Sequence, residues 1–133
     1  MRILAVDYGE KRTGLAISDP MEVIAQPIAV VETNTENILK IINQYRVEKI
    51  VIGLPLNMNG SQGESAKSAA SFANEIRQKS GIPVEMMDER LTTKQAQRLL
   101  IDADMSRGKR KKNIDKVSAA LLLESYLQHQ KSK

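Results

Sequence analysis

Three acidic positions in this chain could share one task. Asp7 closes an otherwise apolar run, Ile3-Leu4-Ala5-Val6. A carboxylate at the end of a buried strand is costly unless it is paired or bound to a cation. An Asp that simply starts the turn at Tyr8-Gly9 also accounts for the position. Asp88-Glu89-Arg90 ends a second strand-like stretch. One acid there could share a crevice with Asp7; an ion pair with Arg90, or a favourable charge near the next helix, explains the pair equally well. Strand alternation does not separate Asp88 from Glu89, because the register is open at the sequence level. Asp115 falls in the first turn of the last helix, where the dipole alone favours an acid and also keeps it ionised, as a metal ligand must be. Oxygen-only ligands suit Mg²⁺ or Mn²⁺ rather than zinc. Two such ions can activate a water and stabilise the leaving oxygen of an in-line phosphoryl displacement.

Other chemistries are poorly provided for. The chain has no cysteine, which excludes disulfides, thiolate metal sites and cysteine nucleophiles and fits a reducing, cytoplasmic setting. Its one histidine, His129, lies in a polar tail. No apolar stretch approaches the roughly 20 residues that a membrane span needs. The positive charge is concentrated: residues 107–133 hold eight Lys/Arg against two Asp/Glu, whereas residues 1–106 hold twelve against fourteen. Arg107, Lys109, Arg110, Lys111 and Lys112 form the densest run, and such a cluster attracts a polyanion. A solvated loop is the plainer reading of it. Gly9-Glu10-Lys11-Arg12-Thr13-Gly14 reads as a glycine-flanked hairpin whose Lys11 or Arg12 could meet a phosphate. It lacks the spacing of a P-loop or a dinucleotide fingerprint. Aromatic residues make up only 3% of the chain (Tyr8, Tyr45, Phe72, Tyr126). Backbone charge and shape are therefore better candidates for recognition than stacking.

The elements that must position these groups follow from periodicity. Residues 2–8, 12–19 and 24–32 read as three strands on short connections, hence an antiparallel meander. A helix follows with Ile38, Leu39, Ile41, Ile42 and Tyr45 on one face. Residues 49–54 are a continuous apolar strand, of the kind buried on both sides. After a polar loop at 55–63 comes a helix with Ala66, Ala69, Ala70, Ala73 and Ile76 along one side. Residues 83–88 form a fifth strand. Thr92-x-x-Gln95 opens a helix with Ala96, Leu99, Leu100 and Ala103. A basic loop leads to a last helix at about 114–130, whose Leu121, Leu122 and Leu123 serve core packing or a dimer contact. Strand–helix–strand units demand parallel pairing with right-handed crossovers. A mixed α/β sheet of five strands meets both demands in a single domain over 1–133. Its site belongs at the carboxyl ends of the parallel strands, where Asp7, Pro55 and Glu89 fall.

Val6-Asp7-Tyr8-Gly9-Glu10-Lys11-Arg12-Thr13-Gly14-Leu15-Ala16 resembles the opening signature of the YqgF family, relatives of the RuvC-type resolvases in the ribonuclease H-like superfamily. Asp88-Glu89-Arg90-Leu91-Thr92-Thr93 resembles its second signature and Asn113-Ile114-Asp115-Lys116-Val117-Ser118-Ala119-Ala120 its third. The stretch from Gly53-Leu54-Pro55-Leu56-Asn57 to Gly60 also matches the family's style. The resemblance covers essentially the whole chain. It implies a ribonuclease H-like fold with strand order 3-2-1-4-5 and strand 2 antiparallel. It implies that Asp7, Glu89 and Asp115 are the catalytic, metal-binding acids, choosing Glu89 over Asp88. It also implies a nuclease that matures the 5′ end of small-subunit ribosomal RNA precursor, or a four-way-junction resolvase. Lys11, Arg12, Arg90 and the 107–112 run would hold the nucleic-acid backbone, in a monomer or a homodimer. The resolvase relatives carry an acid at the end of the fourth strand; here that place holds Gly53-Leu54-Pro55. Two readings of other classes stand beside this one. They are a non-catalytic RNA-binding assembly factor and an actin-like or sugar-kinase lobe, the latter needing two lobes where 133 residues supply one.

Overall fold

A computed structural model describes residues 1–54, 63–88 and 107–131, with the backbone alone for 107–117 and 131. The described elements run β1 (Ile3–Asp7), β2 (Arg12–Ser18), β3 (Ala25–Glu32), α1 (Thr35–Tyr45), β4 (Lys49–Leu54), α2 (Glu64–Ser80), β5 (Val84–Asp88) and α3 (Arg107–Lys131). The sheet order is β3-β2-β1-β4-β5. β2 pairs antiparallel with β1 and β3, while β4 lies parallel to both β1 and β5. The mixed sheet expected from the sequence is therefore present, with the expected strand order. The polar loop at 55–62 and the helix expected from Thr92, including Glu89 and Arg90, lie outside the described residues.

The two most apolar strands, β1 and β4, lie side by side in the middle because each must be covered on both faces. Their alternation sorts the core into two layers. Leu4, Val6, Ile50 and Ile52 face α1 and α2 and meet Ile38, Ile42, Phe72 and Ile76. Ile3, Ala5 and Val51 face α3 and meet Ala119, Leu122, Leu123 and Tyr126. Small side chains on the second face let α3 lie close to the sheet.

Helix α1 starts where its sequence asks: the Asn34 side chain accepts a hydrogen bond from the Asn37 N–H at 2.8 Å. In α2 the buried stripe is Ala66, Ala69, Phe72, Ala73 and Ile76. Ala70, expected on that stripe, is exposed, and Phe72 takes the volume that small residues leave. α3 departs further from expectation. The run at 107–112 is its opening turns and not a loop. Lys and Arg are good helix formers, so the repulsion among like charges does not stop the helix short of Ile114.

The β2–β3 connection is built around one carboxylate. Asp19 accepts hydrogen bonds from the N–H groups of Ile24 and Val23 at 2.7 Å each and Met21 at 3.2 Å. These bonds, that of Ile24 foremost, hold the carboxyl below its ordinary value of 3.8. The folded pKa lies below the unfolded one, so the stabilisation is present above the unfolded value and disappears as pH falls through the folded value. Thermal melts should therefore drop as pH is lowered below about 4, and Asp19→Asn should blunt that acid sensitivity. An unchanged acid slope in the variant would disprove the assignment.

Candidate active site

Asp7 is the last residue of β1, half-buried, and paired in register with the buried Gly14 of β2. Ile3 and Ala5 face α3, so alternation puts Asp7 on that same face. The next residues form the β1–β2 turn, and its shape depends on Gly9. A Cβ there would run into the Arg12 carbonyl oxygen. Gly9→Ala should cost about 1–3 kcal/mol through this overpacking, read from chemical denaturation, and should also shift Asp7.

A long-range clasp holds the turn. The Thr33 hydroxyl donates to the Gly9 carbonyl at 2.6 Å. Having spent its proton there, it accepts from the Thr13 hydroxyl at 2.7 Å. The Thr33 N–H also donates to the Lys11 carbonyl at 3.0 Å. Thr13 is fully buried, so the pair is shielded from competing water. Sequence reasoning missed both threonines: they stand 20 residues apart, and Thr33 reads only as the opening of a polar, helix-starting stretch. Lys11 and Arg12 are exposed at the tip of this clasped turn.

The carboxyl ends of the parallel strands line up beside Asp7. β4 is registered so that Val6 neighbours Ile52, and Leu54 neighbours Asp88 of β5. On the α3 face β4 presents Lys49, Val51 and then Gly53, so no carboxylate stands on β4 among the described residues. In β5, Glu85 and Met87 are on the α3 face, whereas Val84 and Met86 pack against the opposite core. Asp88 therefore falls on the face opposite Asp7, and it is exposed. Glu89 and Arg90 lie outside the described residues, as do the side chains of Arg107, Lys109, Arg110, Lys111, Lys112 and Asp115. Among the described residues no three acidic or histidine side chains gather as a metal-holding group. His129 is exposed near the end of α3.

The far edge of the α3 face fixes the helix. The Lys49 ammonium lies 4.9 Å from the centre of the Tyr126 ring and 3.5 Å from the Glu85 carboxylate. Its polar interaction with Tyr126 foremost, then Glu85, holds the ammonium above the usual lysine range. Tyr126 thus sits over the amino end of β4.

A mixed sheet in this order, with an aspartate ending its first strand, defines the ribonuclease H-like class. Solved structures agree. RuvC of Thermus thermophilus in complex with a Holliday junction substrate superposes with a TM-score of 0.60 at 17% identity, over 97% of this chain and 96% of that one. The fowlpox virus resolvase with substrate Holliday junction DNA gives 0.59 at 17% identity, over 98% and 99%. At such identities the likeness speaks for the fold. The chain belongs to the RuvX (YqgF) family, whose model, described as "RuvX: Holliday junction resolvase", matches residues 1–129. Relatives in Caldanaerobacter subterraneus subsp. tengcongensis and Pelotomaculum thermopropionicum are 48% and 46% identical. The matches cover 99% and 98% of this chain, and 99% and 88% of theirs. Both bear the name "Putative pre-16S rRNA nuclease". Among the described residues no helix is long and apolar enough to cross a membrane.

Proposed function

We propose that this chain is a divalent-metal-dependent nuclease that hydrolyses phosphodiesters at the 5′ end of the small-subunit ribosomal RNA precursor. The observation that carries this reading is the near-full-length identity to relatives that bear a pre-16S rRNA nuclease name, 48% over 99% of both chains in one case. The catalytic set is Asp7, Glu89 and Asp115. Asp7 ends the central strand on the α3 face. The parity of β5 places Asp88 on the wrong face, which favours its neighbour Glu89. Position 115 precedes Ala119, Leu122 and Tyr126 by four, seven and eleven residues, the helical spacing of one stripe. Counting back from Tyr126, those eleven residues span about 16 Å of helix. The four steps from Lys49 to Gly53 span about 13 Å of strand. The helix is thus long enough to reach from the amino edge to the edge that carries Asp7.

The donor set fits Mg²⁺ or Mn²⁺: carboxylate oxygens only, no thiol anywhere in the chain, and an exposed histidine remote in sequence from all three acids. When bound, such an ion supplies Lewis-acid polarisation of the phosphoryl group and a more acidic water. The chain's own part is to keep the acids ionised and fixed. The Thr13–Thr33 clasp anchors the turn behind Asp7. Lys11, Arg12, Arg90 and the 107–112 run hold the substrate backbone through its phosphates. Replacing Lys109, Arg110, Lys111 and Lys112 together with Ala should weaken binding to all sequences alike. The log–log salt slope should fall by about 0.9 for each duplex phosphate that the variant no longer neutralises, as read by fluorescence anisotropy.

The family's description favours a second substrate, a four-way DNA junction. Offering precursor ribosomal RNA and such a junction separately, with Mg²⁺ or Mn²⁺ and with chelator, decides between them. Metal-dependent trimming of the RNA 5′ leader is expected. Preferential cutting of the junction would transfer the assignment to resolvase, and cutting of neither would refute the nuclease reading.

A further inference from the structure

Tyr8 stands one residue beyond Asp7 and therefore on the other side of the sheet. Its ring is half-buried against the α1/α2 core and lies 5.3 Å from the Phe72 ring, tilted by 48°. Beside it is an open groove of about 400 Å³ lined by Tyr8, Phe72, Lys67, Ser68, Ser71 and Glu75. The groove lies at the carboxyl edge, because Tyr8 follows the last residue of β1. Asp7 and this groove are thus separated only by the backbone of one strand.

The lining has a direction. Lys67, Ser71 and Glu75 are four residues apart along α2 and form one stripe. No carboxylate among the described residues is within ion-pair distance of Lys67. Glu75 is occupied at the other end, its Oε1 lying 3.0 Å from the Lys79 ammonium. The groove therefore has a cationic, hydroxyl-bearing end at Lys67, Ser68 and Ser71 and an aromatic floor at Tyr8 and Phe72. An anion attached to a flat ring matches both ends. A volume of about 400 Å³ falls within the range of small-molecule sites, about 300–1,000 Å³, and gives room for one nucleotide.

We propose that the groove is a nucleotide subsite for the substrate strand. It takes one unpaired nucleotide close to the scissile phosphate, with the base on Tyr8 and the phosphate at Lys67 and the two serine hydroxyls. This rests on the nuclease reading and extends it: the strand crosses the sheet edge from the Asp7 face to the α2 face, so the enzyme selects a single-stranded segment next to the cut. Stacking accepts any base, since every base has a π-face, so the subsite senses strandedness and not sequence.

The test titrates a fluorescein-labelled oligouridylate, and separately a labelled RNA duplex, into the full chain in chelator, so that no cleavage is read and an inert protein would still report. Tyr8→Leu should weaken single-strand binding by about 5- to 150-fold, while Tyr8→Phe binds as the parent does and the duplex titration is unchanged. Lys67→Ala alters an exposed side chain and leaves the fold intact. It should lower the single-strand salt slope by about 0.7. Parent-like single-strand binding by Tyr8→Leu, an unchanged slope for Lys67→Ala, or an equal loss of duplex affinity would each overturn the subsite. The nuclease reading fails separately, on the cleavage of precursor RNA and junction DNA.

Discussion

Asp7→Asn should abolish cleavage, lowering the single-turnover rate by at least about 10³-fold. A ligand carboxylate contributes several kcal/mol of charge stabilisation at the reacting phosphoryl group, and each 1.36 kcal/mol is a factor of ten in rate. Asn preserves the size of the side chain at the end of β1, where Val6 before it is fully buried and Gly14 opposite it is buried. The variant should therefore fold, with the Thr13–Thr33 clasp holding the turn in place. A denaturation curve beside the rate measurement separates a lost ligand from a lost fold. A folded Asp7→Asn protein that cuts at the parental rate would remove Asp7 from the chemistry.

The second large effect distinguishes two adjacent acids. Glu89→Gln should lose activity on the scale of Asp7→Asn, at least about 10³-fold by the same reasoning. Asp88→Asn should stay within about tenfold of the parent, the scale of 1.36 kcal/mol. The basis is parity: Glu85 and Met87 share the α3 face with Asp7, and Asp88 does not. A reversed order of the two variants would give the role to Asp88.

That parity shows where sequence reading stops and why. The apolar run ending in Asp7 and the continuous run of β4 are both legible, because a strand buried on both faces leaves an unbroken hydrophobic signature. The meander and the crossovers follow from connection lengths and handedness. The face of Asp88 is not legible. Alternation says only that Asp88 and Glu89 point to opposite faces; which of them shares the face of Asp7 depends on how β5 registers against β4, where Leu54 neighbours Asp88. The family signature chooses Glu89 without this geometry. The start of α3 is misread because a dense run of like charges resembles a solvated loop, although its residues are good helix formers. The Thr13–Thr33 clasp has no sequence signal, since it joins residues far apart in the chain. Tyr8 carries a weak one. As one of only four aromatic residues it argues against stacking, yet it lies at the edge where a single stacking platform would matter.

In the proposed mechanism Asp7, Glu89 and Asp115 hold a divalent cation at the carboxyl edge of the sheet. Electron paramagnetic resonance of Mn²⁺, titrated into the parent chain and into Asp7→Asn, Glu89→Gln and Asp115→Asn, tests it most directly. The parent should bind Mn²⁺ and release it to excess Mg²⁺, and each variant should bind at least about tenfold more weakly, the loss of roughly 1.4 kcal/mol or more. Parental Mn²⁺ affinity in all three folded variants would contradict that claim.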